Sequence, residues 1–177
     1  SLPVTKHNYL VMNAHEIPRV LKEAFIIANT GRPGPVLIDI PRDVFTEEFD
    51  FDNNFWNEEI KILGYNPPKF ADNSKIDIAL KLIEQSNRPV ILAGHGIIIS
   101  RAYEELLELA EKAQIPVITT LLGISSFPEN HILSLSFPGM HGVAWASLAL
   151  DQADLVIAIG SRFDDRITGD TSRFATQ

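Results

Sequence analysis

Cysteine is absent from the 177 residues. That removes disulfides, thiolate metal sites and thiol nucleophiles, and it fits a cytoplasmic protein. No apolar run is long enough to span a bilayer, and no cationic signal region opens the chain. Lysine and arginine number 15 against 23 aspartates and glutamates, with no basic stripe, which argues against nucleic acid and anionic membrane surfaces as partners. His7, His15, His95, His131 and His141 include no i, i+4 pair around a glutamate, so no metal site is expected. There is no G-x-S-x-G elbow for serine catalysis. Asp164 and Asp165 are a poor acid–base pair, because adjacent side chains diverge and Arg162 and Arg166 keep both ionised. The chain starts at Ser1 and stops just after a loop, which reads as an excised piece.

What is present is a strand–helix alternation. Leu155-Val156-Ile157-Ala158-Ile159 is an unbroken apolar run, the pattern of a strand buried on both faces of a parallel sheet. Pro89 to Ala93 and Ile115 to Thr119 read the same way. Helices are expected from a Ser74 cap to about Gln85, with Ile76, Ala79, Leu80 and Ile83 inward, and from a Ser100 cap to about Ala113, with Leu106, Leu107 and Ala110 inward. A short helix is expected over Val143 to Leu150. Together these predict an α/β fold: a doubly wound, Rossmann-like parallel sheet with right-handed crossovers and helices on both faces.

Ahead of it, residues 1–44 hold one helix and one strand, too little for a core and therefore the tail of a preceding domain. Asn13 and Glu16 have capping-box spacing, Ile17, Val20, Leu21, Ala24 and Ala28 recur at helical spacing, and Pro35 to Pro41 brackets a short strand. Residues 45–73 mix acids, asparagines, Pro67-Pro68 and aromatics. They read as an inter-domain connector too apolar to float free, lying along a protein surface. Residues 74–177 are the α/β domain.

Candidate chemistry collects at the strand ends, where open α/β sheets bind ligands. Gly94-His95-Gly96 resembles a phosphate turn with free amides at a helix start, though it lacks the full G-x-G-x-x-G, and a ligand-free glycine turn is an equal reading. Thr120 and Gly123 follow the second strand, and Gly160 with Arg162 to Gly169 follows the third. Gly139-Met140-His141-Gly142 puts a thioether and an imidazole between flexible points.

Thr5 to Val11, Gly31-Arg32-Pro33-Gly34-Pro35-Val36, Gly139 to Gly142 and Arg162 to Gly169 closely resemble the large catalytic subunits of the acetolactate synthase family, within the thiamine-diphosphate enzymes. The resemblance runs over nearly the whole chain and is weakest in the connector. It implies three α/β domains in the parent. Residues 1–44 would end the pyrimidine-binding domain, and residues 74–177 would form most of the central one, truncated at its C-terminal end.

The resemblance implies that the central domain holds FAD in a largely structural role. Arg32, Gly94, His95, Gly96, Thr120, Leu121, Gly139, Met140, His141, Gly160, Arg162 and Asp164 fall at FAD-binding positions. His95 replaces the middle glycine of a Gly-Gly-Gly turn, Leu122 a frequent methionine and Pro138 a common leucine. Arg42, Asp165 and Arg166 fall along the substrate and inhibitor channel, Arg42 in place of a lysine. The activating glutamate and the Gly-Asp-Gly motif for thiamine diphosphate and Mg2+ do not appear, so no catalytic residue is expected here and the piece alone would be inactive. The parent would join two pyruvates, or pyruvate and 2-oxobutyrate, as a homodimer or homotetramer with a possible regulatory small subunit. A non-catalytic Rossmann-type nucleotide-binding domain stays open, as does a related enzyme such as pyruvate oxidase or glyoxylate carboligase.

Overall fold

The computed structural model describes residues 1–68 and 70–175. Lys69 of the connector, and Thr176 and Gln177 at the end of the expected central domain, lie outside the described residues. The chain divides into two units, Ser1–Phe70 and Ala71–Gln177.

The first unit is a βαβ element. Strand β1 (His7–Leu10) pairs in parallel with β2 (Val36–Asp39), and helix α1 (Ile17–Asn29) connects them. The strand β1 is not foreseen by the sequence, because His-Asn-Tyr-Leu has neither an apolar run nor strict alternation. Asn13 takes the His15 amide rather than closing a capping box; Glu16 faces Arg19 instead, at 3.4 Å. Buried Val20, Ala24 and Ile27 line the inner stripe of α1, together with an unforeseen Glu23. Glu23 is held by Arg19 at 2.8 Å and by the Tyr9 hydroxyl at 3.0 Å. Burial and that carboxylate push the Tyr9 phenol up to about 12. A four-residue helix α2 (Arg42–Phe45) follows β2. The connector then packs on α1: the Lys22 ammonium donates to the carbonyls of Phe55, Trp56 and Glu58, and Phe49, Phe51, Phe55 and Trp56 meet edge to face.

The second unit carries strands β3 (Pro89–Ala93), β4 (Val117–Thr119) and β5 (Leu155–Ile159), all parallel, in the order β4-β3-β5. Alternation decides which layer each residue joins. Ile91, Ala93 and Val117 face helices α4 (His95–Ser100) and α5 (Tyr103–Ala113), meeting Ile97, Leu106 and Ala110. Val90, Leu92 and Ile118 face the opposite layer, helix α6 (Ala144–Gln152), and meet Ala146 and Leu150. The crossover to β4 and the crossover to β5 run in opposite directions over opposite faces, so both have the same hand. Residues 133–136 run parallel along the outer edge of β4, where Leu133 accepts from Val117 and the Leu135 amide donates back to it.

Four local expectations need correction. Ser100 does not cap a helix: the chain turns helical at His95, directly after β3, because Ile97 finds a core site. Ser100 ends α4 with its hydroxyl bonded back to the Gly96 carbonyl at 2.8 Å, and α5 restarts after Arg101 at φ +58°. The cap of helix α3 (Asn73–Gln85) is Asp72 rather than Ser74. Its expected inner face is mostly exposed, Ile76 and Leu80 by 44% and 49%, and only Ile83 packs on the core. Strand β5 is half-buried rather than sealed on both faces, since among the described residues β3 is its only strand neighbour. No described helix is long and apolar enough to cross a membrane.

Asp154 ties the amino ends of β3 and β5 by accepting the Asn87 and Arg88 amides at 2.7 and 2.8 Å. These donors, Asn87 foremost, hold its carboxyl below the ordinary value of 3.8. A depressed carboxyl stabilises the fold above its unfolded pKa, and that contribution fades as pH falls below it. Asp154→Asn is therefore expected to be clearly less stable than the wild type in urea unfolding at pH 7. The gap should shrink as pH drops below about 4; a gap unchanged by pH would contradict this role.

Candidate functional site

The carboxyl ends of β3 and β5 flank the point where the two crossovers part, the usual ligand crevice of an open α/β sheet. Here the crevice is closed at its base by backbone. The Gly94 amide donates to Ile159 O at 2.9 Å and the Gly96 amide to Gly160 O at 2.8 Å. A Cβ on Gly94 would stand 2.4 Å from the Gly160 carbonyl oxygen, and one on Gly96 would stand 2.5 Å from the Gly160 Cα. Gly160 is left-handed at φ +61°, where a Cβ would meet the Ile97 nitrogen at 2.7 Å. The turn after β4 joins the same knot. The Thr120 amide donates to Ala93 O at 2.9 Å, and a Cβ on Gly123 would lie 2.5 Å from that oxygen.

This changes the meaning of Gly94-His95-Gly96. The sequence suggests free amides awaiting an anion, yet two of the three are committed, to the last residue of β5 and to the Gly160 that follows it. The glycines are explained by close approach of two backbone segments. His95 turns outward and places Nδ1 2.8 Å from the Leu122 carbonyl, linking the β3 and β4 turns. Thr120 is buried, while Leu121 beside it is exposed.

Above this base lie groups with unused capacity. The Ser161 hydroxyl, against Gly94, is buried without a hydrogen-bond partner, and so is that of Thr119 at the end of β4. Sequence reasoning missed Ser161, because a serine after a strand is unremarkable until packing isolates its oxygen. Arg162 reaches Asp164 at 3.4 Å with its side chain 67% exposed, so the pair is loose and the guanidinium accessible. Asp164 also caps helix α7 (Asp165–Thr168), accepting the Arg166 amide at 3.2 Å. Asp165 and Arg166 are exposed and in no ion pair among the described residues.

The Gly139 loop comes close to α7: a Cβ on Gly139, at φ +104°, would stand 3.5 Å from the Arg166 carbonyl oxygen. Its Met140 is 93% exposed and His141 is exposed. Gly142 closes the loop where a Cβ would strike Phe137 O at 2.3 Å. Thirteen expected positions thus share one unit. They fall into a strand-end knot (Gly94, His95, Gly96, Thr120, Leu121, Gly160) and a neighbouring pair of segments (Gly139 to His141 and Arg162 to Arg166). Arg32 and Arg42 are exposed in the first unit, Arg32 in the turn before β2 and Arg42 at the start of α2. Among the described residues no group of three or more His, Asp or Glu could hold a metal ion.

The sequence profile of the thiamine pyrophosphate enzyme central domain matches residues 76–177. The chain belongs to the thiamine pyrophosphate enzyme family. It is also similar along its length to named acetolactate synthases. It is 50% identical over 175 residues to the acetolactate synthase large subunit of Corynebacterium glutamicum, covering 99% of this chain and 28% of that protein. The probable acetolactate synthase large subunit of Methanocaldococcus jannaschii is 49% identical, over 99% of this chain and 30% of its own length. The acetolactate synthase of Mycobacterium bovis is 46% identical, over 100% and 28%. The chain thus spans less than a third of the length of these relatives. In this family setting, the matched region holds the whole strand-end knot.

Overpacking a closed backbone contact typically costs about 1–3 kcal/mol. Gly160→Ala is expected to lower the melting temperature by several degrees. Gly31→Ala, at the same φ of +61° but with nothing within 4 Å of the new Cβ, should cost less, about 1 kcal/mol from backbone strain alone. Calorimetry of both variants checks it, and equal losses would contradict the close-approach account.

Proposed function

We propose that this chain is part of an acetolactate synthase large subunit, which joins two pyruvates, or pyruvate and 2-oxobutyrate, with loss of carbon dioxide on the way to branched-chain amino acids. Residues 1–44 end the pyrimidine-binding domain, residues 45–73 connect, and residues 74–177 form most of the central domain. Thiamine diphosphate and Mg2+ belong to other segments of the parent, so the 177-residue piece does not turn over by itself. The parent is a cytoplasmic homodimer or homotetramer, open to a regulatory small subunit.

The part assigned to this piece is FAD binding at the carboxyl edge of β3, β4 and β5. The observation that carries it is the buried, unpartnered Ser161 hydroxyl beside an accessible Arg162 guanidinium, at the crevice where the crossovers part. A hydroxyl and a forked cation suit phosphate and ribityl oxygens. Exposed Met140, Leu121 and Leu122 suit the flat face of a flavin ring. Arg32 is proposed to contribute from the first unit. When bound, FAD supplies a structural brace for the domain. Asp165 and Arg166 are assigned to the substrate and inhibitor channel together with Arg42.

In the full-length enzyme, Arg162→Ala removes a charge-assisted contact worth roughly 1.5–3 kcal/mol, so FAD should be held at least about tenfold more weakly. Asp165→Ala should retain flavin while altering turnover or inhibitor response. Flavin absorbance per subunit after gel filtration, alongside steady-state rates, decides this, and equal flavin loss in both variants would refute the division of roles.

A further inference from the structure

Helix α5 and the loop after β4 form a second concavity that shares no residue with the strand-end site. We infer that it binds a compact organic cation, an aromatic or branched amine with its apolar body inside and its ammonium group at the rim. The cavity measures about 490 Å³, within the range of small-molecule sites. Its walls are Tyr103 and Leu107 from α5 and Phe127 and Pro128 from the loop. Phe127 is 2% exposed and belongs to the core cluster that includes Leu106 and Ile115, so this wall is fixed by packing.

Two features give the cavity polarity. Ser126, in the wall, is 1% exposed and its hydroxyl has no hydrogen-bond partner. A buried hydroxyl without a partner is uncommon in folded proteins and is relieved when a ligand supplies one. Glu104 and Glu129 also line the cavity, both exposed and neither in an ion pair among the described residues. No lysine or arginine lines it. Elsewhere on α5, Glu108 pairs with Lys112 and Glu111 with His131, while Glu105, in no ion pair among the described residues, does not line the cavity. The free charge at the mouth is therefore negative, which selects a cation and rejects a carboxylate of the same shape.

Tryptamine and indole-3-acetate separate these contributions, because they share the ring and differ in the sign of the head group. Each is titrated into the 177-residue chain while amide resonances are followed by NMR. Tryptamine should shift the amides of Leu107, Ser126 and Phe127 and bind at least about fivefold more tightly than the acid, the scale expected from exposed charge pairs. The double variant Glu104→Gln, Glu129→Gln lies on the surface and should keep the fold while abolishing that preference. Ser126→Ala should weaken the amine without changing the preference. Equal binding of the two compounds, shifts centred elsewhere, or an amine preference that survives the double variant would each overturn the proposal, as would absence of tryptamine binding.

Discussion

At the carboxyl edge of the second unit, backbone touches backbone with no room for a Cβ. Gly94 and Gly96 lie against Gly160, and Gly123 lies against Ala93. The turns after the three parallel strands interlock here, and that close approach requires glycine on both sides where Gly94 and Gly96 meet Gly160, and on one side where Gly123 meets Ala93. The rest of the unit follows from that closure. The ladders of β3 with β4 and β5 run up to the knot, helix α4 starts inside it, and Ser161 packs against the Gly94 turn. At the other end of the sheet, Asp154 performs the matching task by holding the amino ends of β3 and β5. The sheet is pinned at both edges, and only the carboxyl edge opens toward groups with spare hydrogen-bonding capacity.

Much of this fold is legible in the sequence because burial on two faces writes a continuous apolar run. Pro89 to Ala93 is such a run, and it became the central strand with helices on both sides. Legibility failed where one short segment borrows its stability from distant partners. His7 to Leu10 has little strand signal of its own and is fixed by pairing with Val36 to Asp39. Helix α4 is hidden in the sequence because Ser100 has the pattern of a helix cap, whereas the buried position of Ile97 begins the helix earlier. Periodicity locates helix α3, but periodicity alone does not say what covers an apolar face.

The candidate site divides the same way. The positions of Gly94, Gly96, Thr120 and Gly160 at one edge follow from strand order, which the alternation implies. Their physical role does not, since a glycine kept for a phosphate and a glycine kept for a neighbouring backbone segment look identical in sequence. Ser161 illustrates the converse: nothing in Gly-Ser-Arg-Phe announces an isolated hydroxyl, and only packing against Gly94 makes one. The matched central domain contains this edge and the charged segment from Arg162 to Arg166, on which the proposed anionic ligand rests.

The glycine turn is a structural closure already complete without ligand. Amide hydrogen exchange at Gly96 in the ligand-free chain tests it most directly. If its N–H is held by the Gly160 carbonyl, as the 2.8 Å contact requires, the amide is protected before any cofactor is added, and FAD changes it little. A Gly96 amide that exchanges freely alone and becomes protected only with FAD would show that the turn is an open anion cradle and would contradict the account.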